Sequence, residues 1–209
     1  MKKIILLLTF GFIFFLNNNA ASAAEHEKNN YPTKLETEVL NQELQGLVKK
    51  VNERLAKGEE DIEVSSENLK VVFKQEDVIN PISSKGNRLN SMGVSASSIG
   101  SKSYQAYVAN TNGYNFRHSV YGTFTWNGSL LSQVTADEDL TGIMYSKSAT
   151  TKVTGVDGTI GSTAKIGKVS SKGTFTPLKF SPISFYTTII VDVYAPTKSY
   201  RIVTAKIAN

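Results

Sequence analysis

Over residues 115–126 the even positions are Phe116, His118, Val120, Gly122, Phe124 and Trp126, and the odd ones Asn115, Arg117, Ser119, Tyr121, Thr123 and Thr125. A period of two sends apolar side chains to one face of a strand and polar ones to the other. Asn127-Gly128 follows at once, and this dipeptide suits a two-residue hairpin because both central positions need φ > 0. The apolar pattern then returns over 130–134. A chain written this way must pair antiparallel and cover one face of its sheet.

The same texture runs to the C-terminus. Strand candidates lie at 104–109, 141–146, 150–156, 164–169, 174–180, 185–194 and 199–208. Asp157-Gly158, Ser171-Lys172-Gly173 and Pro196-Thr197 read as turns between several of them. Ile189-Ile190-Val191 is apolar on both faces, which marks a central strand. About nine strands at short intervals, with no helical period, predict a mainly β domain, an antiparallel β-sandwich or barrel over residues 104–209. The chain has no cysteine, so apolar burial holds this domain without disulfides. A catalytic thiol and thiolate metal sites are excluded with it.

Residues 25–80 have a different pattern. Leu35, Val39, Leu40, Leu44, Leu47, Val48, Val51 and Leu55 recur at steps of three and four, the stripe of one amphipathic helix. Thr33 and Glu36 stand at capping-box spacing, and Gly58 is a natural stop. A short strand candidate follows at 69–73. The polar face is mixed rather than strongly basic, so the stripe is expected to pack on the rest of the chain rather than on a membrane. Residues 81–103, rich in Ser and Gly, read as a linker.

At the N-terminus, Lys2 and Lys3 precede an uncharged, mostly apolar run over 4–16 and the small-residue site Ala21-Ser22-Ala23. This is the form of a secretory signal peptide. The run is short of the ~20 residues that span a bilayer. Residues 1–24 are therefore expected to be removed, leaving a secreted protein with no transmembrane segment, free or held non-covalently at a cell wall.

Charge divides the exported part. Residues 25–78 carry 13 acidic and 8 basic side chains, whereas 79–209 carry 5 and 13. A basic exported domain attracts anionic cell-wall polymer or a membrane surface. Its cations are spread singly from Lys85 to Lys206, and an exported protein meets little nucleic acid, so nucleic acid is not an expected partner. No cofactor is implied: the glycines of 155–161 lack phosphate-loop spacing and a following helix.

Few residues suggest chemistry. His118 is the one histidine of the β region, and its phase with Phe116 and Val120 points it into the core. No G-x-S-x-G elbow accompanies it. Asp137 and Asp139 have a separation that suits a hydrolase carboxylate pair or a calcium site, but Thr135-Ala136-Asp137-Glu138-Asp139 reads as a polar turn without the calcium-loop pattern. Asp192 interrupts an apolar strand, and a turn at Pro196-Thr197 would set Arg201 opposite it as a cross-strand pair. Tyr107, Arg117, Tyr121 and Tyr145 are the candidates for an exposed binding face, since Tyr offers an apolar ring with a polar tip. The expected function is non-enzymatic binding or assembly at an extracellular surface. The alternatives are a membrane-active toxin or antimicrobial protein whose acidic segment, cut off within 83–103, masks the basic domain, and a hydrolase using Asp137 and Asp139.

Overall fold

The computed structural model describes residues 31–78, 99–178 and 184–195, and 199–208 with side chains there only from Ala205. The leader at 1–24, His26, residues 81–98 of the linker, the Pro196-Thr197 turn and the Arg201 side chain lie outside the described residues.

One helix, α1 (Lys34–Leu55), precedes ten strands: β1 (Asp61–Ser65), β2 (Leu69–Asp77), β3 (Ile99–Asn110), β4 (Arg117–Asn127), β5 (Leu130–Val134), β6 (Asp137–Thr141), β7 (Tyr145–Gly155), β8 (Ile166–Pro177), β9 (Phe185–Tyr194) and β10 (Ser199–Ala208). They form two antiparallel sheets. The first runs β1-β2-β3-β4-β5, with β6 also paired to β4; the second runs β10-β9-β8-β7. The sheets do not join into one, so the fold is a sandwich rather than a closed barrel.

The alternation of β4 explains the sandwich. Phe116, His118, Val120, Phe124 and Trp126 are all buried, and they meet Val169, Phe175, Phe185, Ile189 and Val191 from the second sheet. Phe116 lies 5.3 Å from Phe175 and 5.1 Å from Phe185, centroid to centroid. The hairpin after β4 turns on Gly128-Ser129 rather than Asn127-Gly128, since Asn127 pairs with Leu130 and Gly128 takes the left-handed φ of 62° at the first turn position.

Helix α1 closes the open side of the sandwich. Its capping box forms as the spacing predicts: the Glu36 N–H donates to Thr33 Oγ1 and the Thr33 N–H donates to Glu36 Oε2. Leu40, Leu44, Leu47, Val48 and Val51 are buried against β10, β1 and β2, while Leu35 and Val39 at the start of the stripe stay exposed. Strand β10 is one edge of its sheet, and Asn41 covers it. Its Nδ2 donates to the Ile207 carbonyl at 2.7 Å and its Oδ1 accepts from the Ile207 N–H at 2.9 Å. The amide side chain thus takes the place of a neighbouring strand and blunts an edge that would otherwise pair with other chains.

Several elements differ from the sequence reading. The strand expected at 69–73 extends to Asp77, and β1 precedes it. Strand β3 begins at Ile99, so the boundary drawn at 103/104 falls inside a strand, and β2 pairs along β3 from Leu69↔Asn110 to Asp77↔Lys102. Ser171-Lys172-Gly173 is not a turn: β8 runs straight through it. Nor is 137–139 a turn, because β6 pairs Asp137↔Tyr121 and Asp139↔Ser119 on β4. The strand expected at 141–146 is replaced by the β6–β7 connection, which shifts the phase of Tyr145. Tyr145 is therefore not exposed. Its hydroxyl donates to the Tyr114 carbonyl at 2.9 Å, and its ring stands edge-on to Phe175 and Phe185. Burial pushes the phenol up to about 12.

Candidate functional site

Antiparallel register collects most of the candidate residues on the outer face of the first sheet. Tyr107 lies opposite Ser119, which lies opposite Asp139; Arg117 is next along β4, and Tyr121 faces Asp137. Arg117 Nη2 donates to Asp139 Oδ2 at 2.7 Å, and its guanidinium sits 5.6 Å from the Tyr107 ring centroid. The Tyr121 hydroxyl reaches Asp137 Oδ2 at 3.4 Å. The negative charge of Asp137, backed by Asp139 and Glu138, holds that phenol above its usual range.

This face is electrically closed. Lys70 pairs with Glu63, Lys74 with Asp61 at 3.5 Å and Arg117 with Asp139; Lys102, on the other face opposite buried Phe124, pairs with Glu60 at 2.8 Å. A shallow depression of about 360 Å³ crosses it between Lys74, Glu76, Gln105 and Tyr121. Asp137 and Asp139 stand side by side on one strand, and Asp139 is already held by Arg117. They do not face each other across a cleft, as a glycosidase pair must. Among the described residues no group of three or more histidine and acidic side chains is placed to hold a metal ion.

His118 lies where its phase sends it, fully buried between the sheets. Its Nε2 is 2.9 Å from Ser171 Oγ on β8, and its Nδ1 is 2.7 Å from Thr187 Oγ1 on β9. Thr151 on β7 donates to Ser171 Oγ at 2.7 Å. Two hydroxyls from adjacent strands of one sheet, one of them backed by Thr151 on a third, thus hold an imidazole from the other. Burial drives its pKa down to about 4, so the ring is neutral at pH 7. Serine and histidine are in contact, but no carboxylate is among the ring's hydrogen-bond partners and no substrate can reach it. The cluster ties the two sheets together; it is not a nucleophile with its base. Gly173 makes room for it: a Cβ there would stand 3.3 Å from His118 Nδ1 and 2.5 Å from Leu140 Cδ2.

The second sheet's outer face has the opposite electrical character. Residues of β8 at even positions, Lys168, Ser170, Lys172, Thr174 and Thr176, point outward, and the odd ones fill the core. Register then sets Lys152 opposite Ser170, Lys172 opposite both Thr150 and Thr188, and Lys206 opposite Thr188. Lys152, Lys172 and Lys206 are exposed and none has a carboxylate within ion-pair distance among the described residues. Lys172 Nζ lies 4.2 Å from the Tyr186 ring centroid. Asp192 is the one acid on this face among the described residues, with Lys168 Nζ at 3.9 Å and Arg201 opposite it in register. Sequence reading missed these lysines because the false turn at 171–173 broke the alternation that would have aligned them.

A groove of about 870 Å³ lies between α1 and β10, lined by Asn41, Gln45, Val48, Asn52 and Lys206 among others, with no histidine or hydroxyl nucleophile in its described lining. No described helix is long and apolar enough to cross a membrane. In comparisons with known proteins, no family model, no curated protein and no solved structure matches this chain significantly.

Proposed function

We propose that this is an exported, non-enzymatic protein that binds or assembles at an anionic extracellular or cell-wall surface through the outer face of the second sheet. The observation that carries the reading is the contrast between the two faces. On the outer face of the first sheet the cations Lys70, Lys74 and Arg117 are each neutralised by an acid. On the second, Lys152, Lys172 and Lys206 stand open to solvent beside serine and threonine hydroxyls. Unneutralised lysines on a rigid sheet raise the local concentration of an anionic partner and fix its orientation. Sealing His118 inside the sandwich supports a binding role over a hydrolytic one.

What weighs against a detachable acidic segment is its place in the core. Leu69, Val71 and Phe73 of β2 are fully buried, and α1 contributes five more buried apolar side chains. Cutting 25–80 away would strip both from the sandwich. The test is co-sedimentation of the secreted protein with anionic wall polymer at rising salt. Binding at low salt that is released toward 1 M is the expected result, because such contacts are screened. Retention unchanged by salt, or no retention at all, contradicts it.

A further inference from the structure

We propose that the partner is a linear, flexible phosphodiester-linked polyol chain laid lengthwise along β7 and β8; this rests on the reading above and names its ligand. Lys168 and Lys172 project from β8, and Lys152 projects from β7 opposite Ser170, midway between them. Each step from Lys168 to Lys152 to Lys172 advances two residues, about 6.7 Å along the strands. Lys165 and Lys147 are not part of this row: both have the odd, inward phase, and Lys147 lies opposite buried Phe175 with its Nζ donating to the Gly142 carbonyl at 3.1 Å. From Lys168 to Lys172 the track is about 13 Å long.

A peptide repeat of three bonds extends about 3.4 Å, so a six-bond repeat, such as a three-carbon polyol joined by phosphodiesters, extends about 7 Å. Its charges match the lysine step. Outward hydroxyls of Thr150, Thr154, Ser170 and Thr174 fill the spaces between the cations, where they can donate to non-bridging phosphate oxygens. Neither strand contains an aspartate or glutamate, and the acid on this face, Asp192 of β9, stands 3.9 Å from Lys168, which leaves Lys152 and Lys172 as the unpaired cations of the row. Tyr186 under Lys172 holds that ammonium on the face. A bilayer is the poorer fit, because an interface-seeking surface needs apolar side chains among its cations. On β7 and β8 those positions are hydroxyls, with Ile166 the one large apolar residue pointing outward. The exposed Ile143, Met144 and Leu178 lie beyond the strand ends.

The experiment measures binding of the full secreted chain to synthetic glycerol-phosphate oligomers of increasing length. Parallel arms use polyglutamate of matched charge and vesicles containing anionic phosphatidylglycerol. Affinity should rise with length until the oligomer spans the track, about three repeats, and then level off. The Lys152→Gln/Lys172→Gln protein, with unchanged melting temperature, should bind at least tenfold more weakly. Its plot of log K against log salt should be shallower by about 1.4, at about 0.7 per lost contact on a single-stranded polyanion. The Lys70→Gln/Lys74→Gln protein should bind as the parent does. Length-independent binding, equal losses in both double variants, or preference for vesicles or polyglutamate overturns the inference while leaving a surface-binding role intact. If the parent binds none of the three probes, the broader reading falls with it.

Discussion

Acidification from pH 7 to pH 5 is expected to weaken the fold through one side chain. In the unfolded chain His118 titrates near the ordinary value of about 6.5, and in the folded chain burial lowers it to about 4. Above the unfolded value the ring is neutral in both states, and the stability it contributes is fully present. As pH falls below about 6.5 the unfolded chain takes up the proton and the folded chain refuses it. Stability then declines by about 1.4 kcal/mol per pH unit until the folded ring also titrates. The loss is about 2 kcal/mol at pH 5 and about 3 kcal/mol by pH 4. No compensating anion is in place, because the ring's partners are the hydroxyls of Ser171 and Thr187 and its register neighbour on β6 is Leu140. The assay is urea unfolding at pH 7 and pH 5. For a slope of about 2 kcal/mol per molar, the midpoint should fall by about 1 M. A His118→Gln protein should be less stable at both values yet lack this extra decline. His26 and every carboxylate are common to both proteins, so the difference belongs to His118. A parent midpoint that does not move, or a variant that moves equally, refutes the reasoning.

Replacing Asn41 by Leu removes both bonds to Ile207 and should lower stability by about 1–3 kcal/mol. It should also produce concentration-dependent dimers in sedimentation as the β10 edge is freed, and a stable monomer would contradict the capping role. Gly173→Ala forces a methyl to within 2.5 Å of Leu140 Cδ2; a loss of about 1–3 kcal/mol in thermal melts is expected of such overpacking. Tyr145→Phe should cost about 1 kcal/mol for the bond to the Tyr114 carbonyl and leave polymer binding unchanged, which an exposed, ligand-contacting Tyr145 would not do.

The parts of the fold that were legible in the sequence are those where one local period runs uninterrupted. Helix α1, with its cap, and strands β4, β5, β9 and β10 fall where periodicity sets them. The errors come from residues whose local preference is overruled by a distant partner. Ser171 and Gly173 look like turn residues, yet they face inward because His118, 53 positions away from Ser171, needs a hydroxyl and Leu140 needs space. Asp137 and Asp139 look like a loop, but β4 supplies a pairing edge and Arg117 a counter-charge. Strand β1 has only Ile62 and Val64 as apolar signals, too few to mark a strand without β2 beside it. The candidate site was harder to read for the same reason. Tyr107, Arg117 and Tyr121 do share a face, but whether that face carries net charge depends on which strands bring acids to it. Glu63 and Asp61 arrive on β1 through its pairing with β2, and the lysines of β7 and β8 go to the other sheet. Such sorting depends on long-range pairing, which composition by halves does not encode.

The most direct test of the central claim is a map of backbone amide shifts in the labelled protein as anionic polymer is added. Changes concentrated on Lys152, Ser170, Lys172 and Thr188 are the result this account predicts. Changes centred on Tyr107, Arg117 and Tyr121, or none at all, would contradict it.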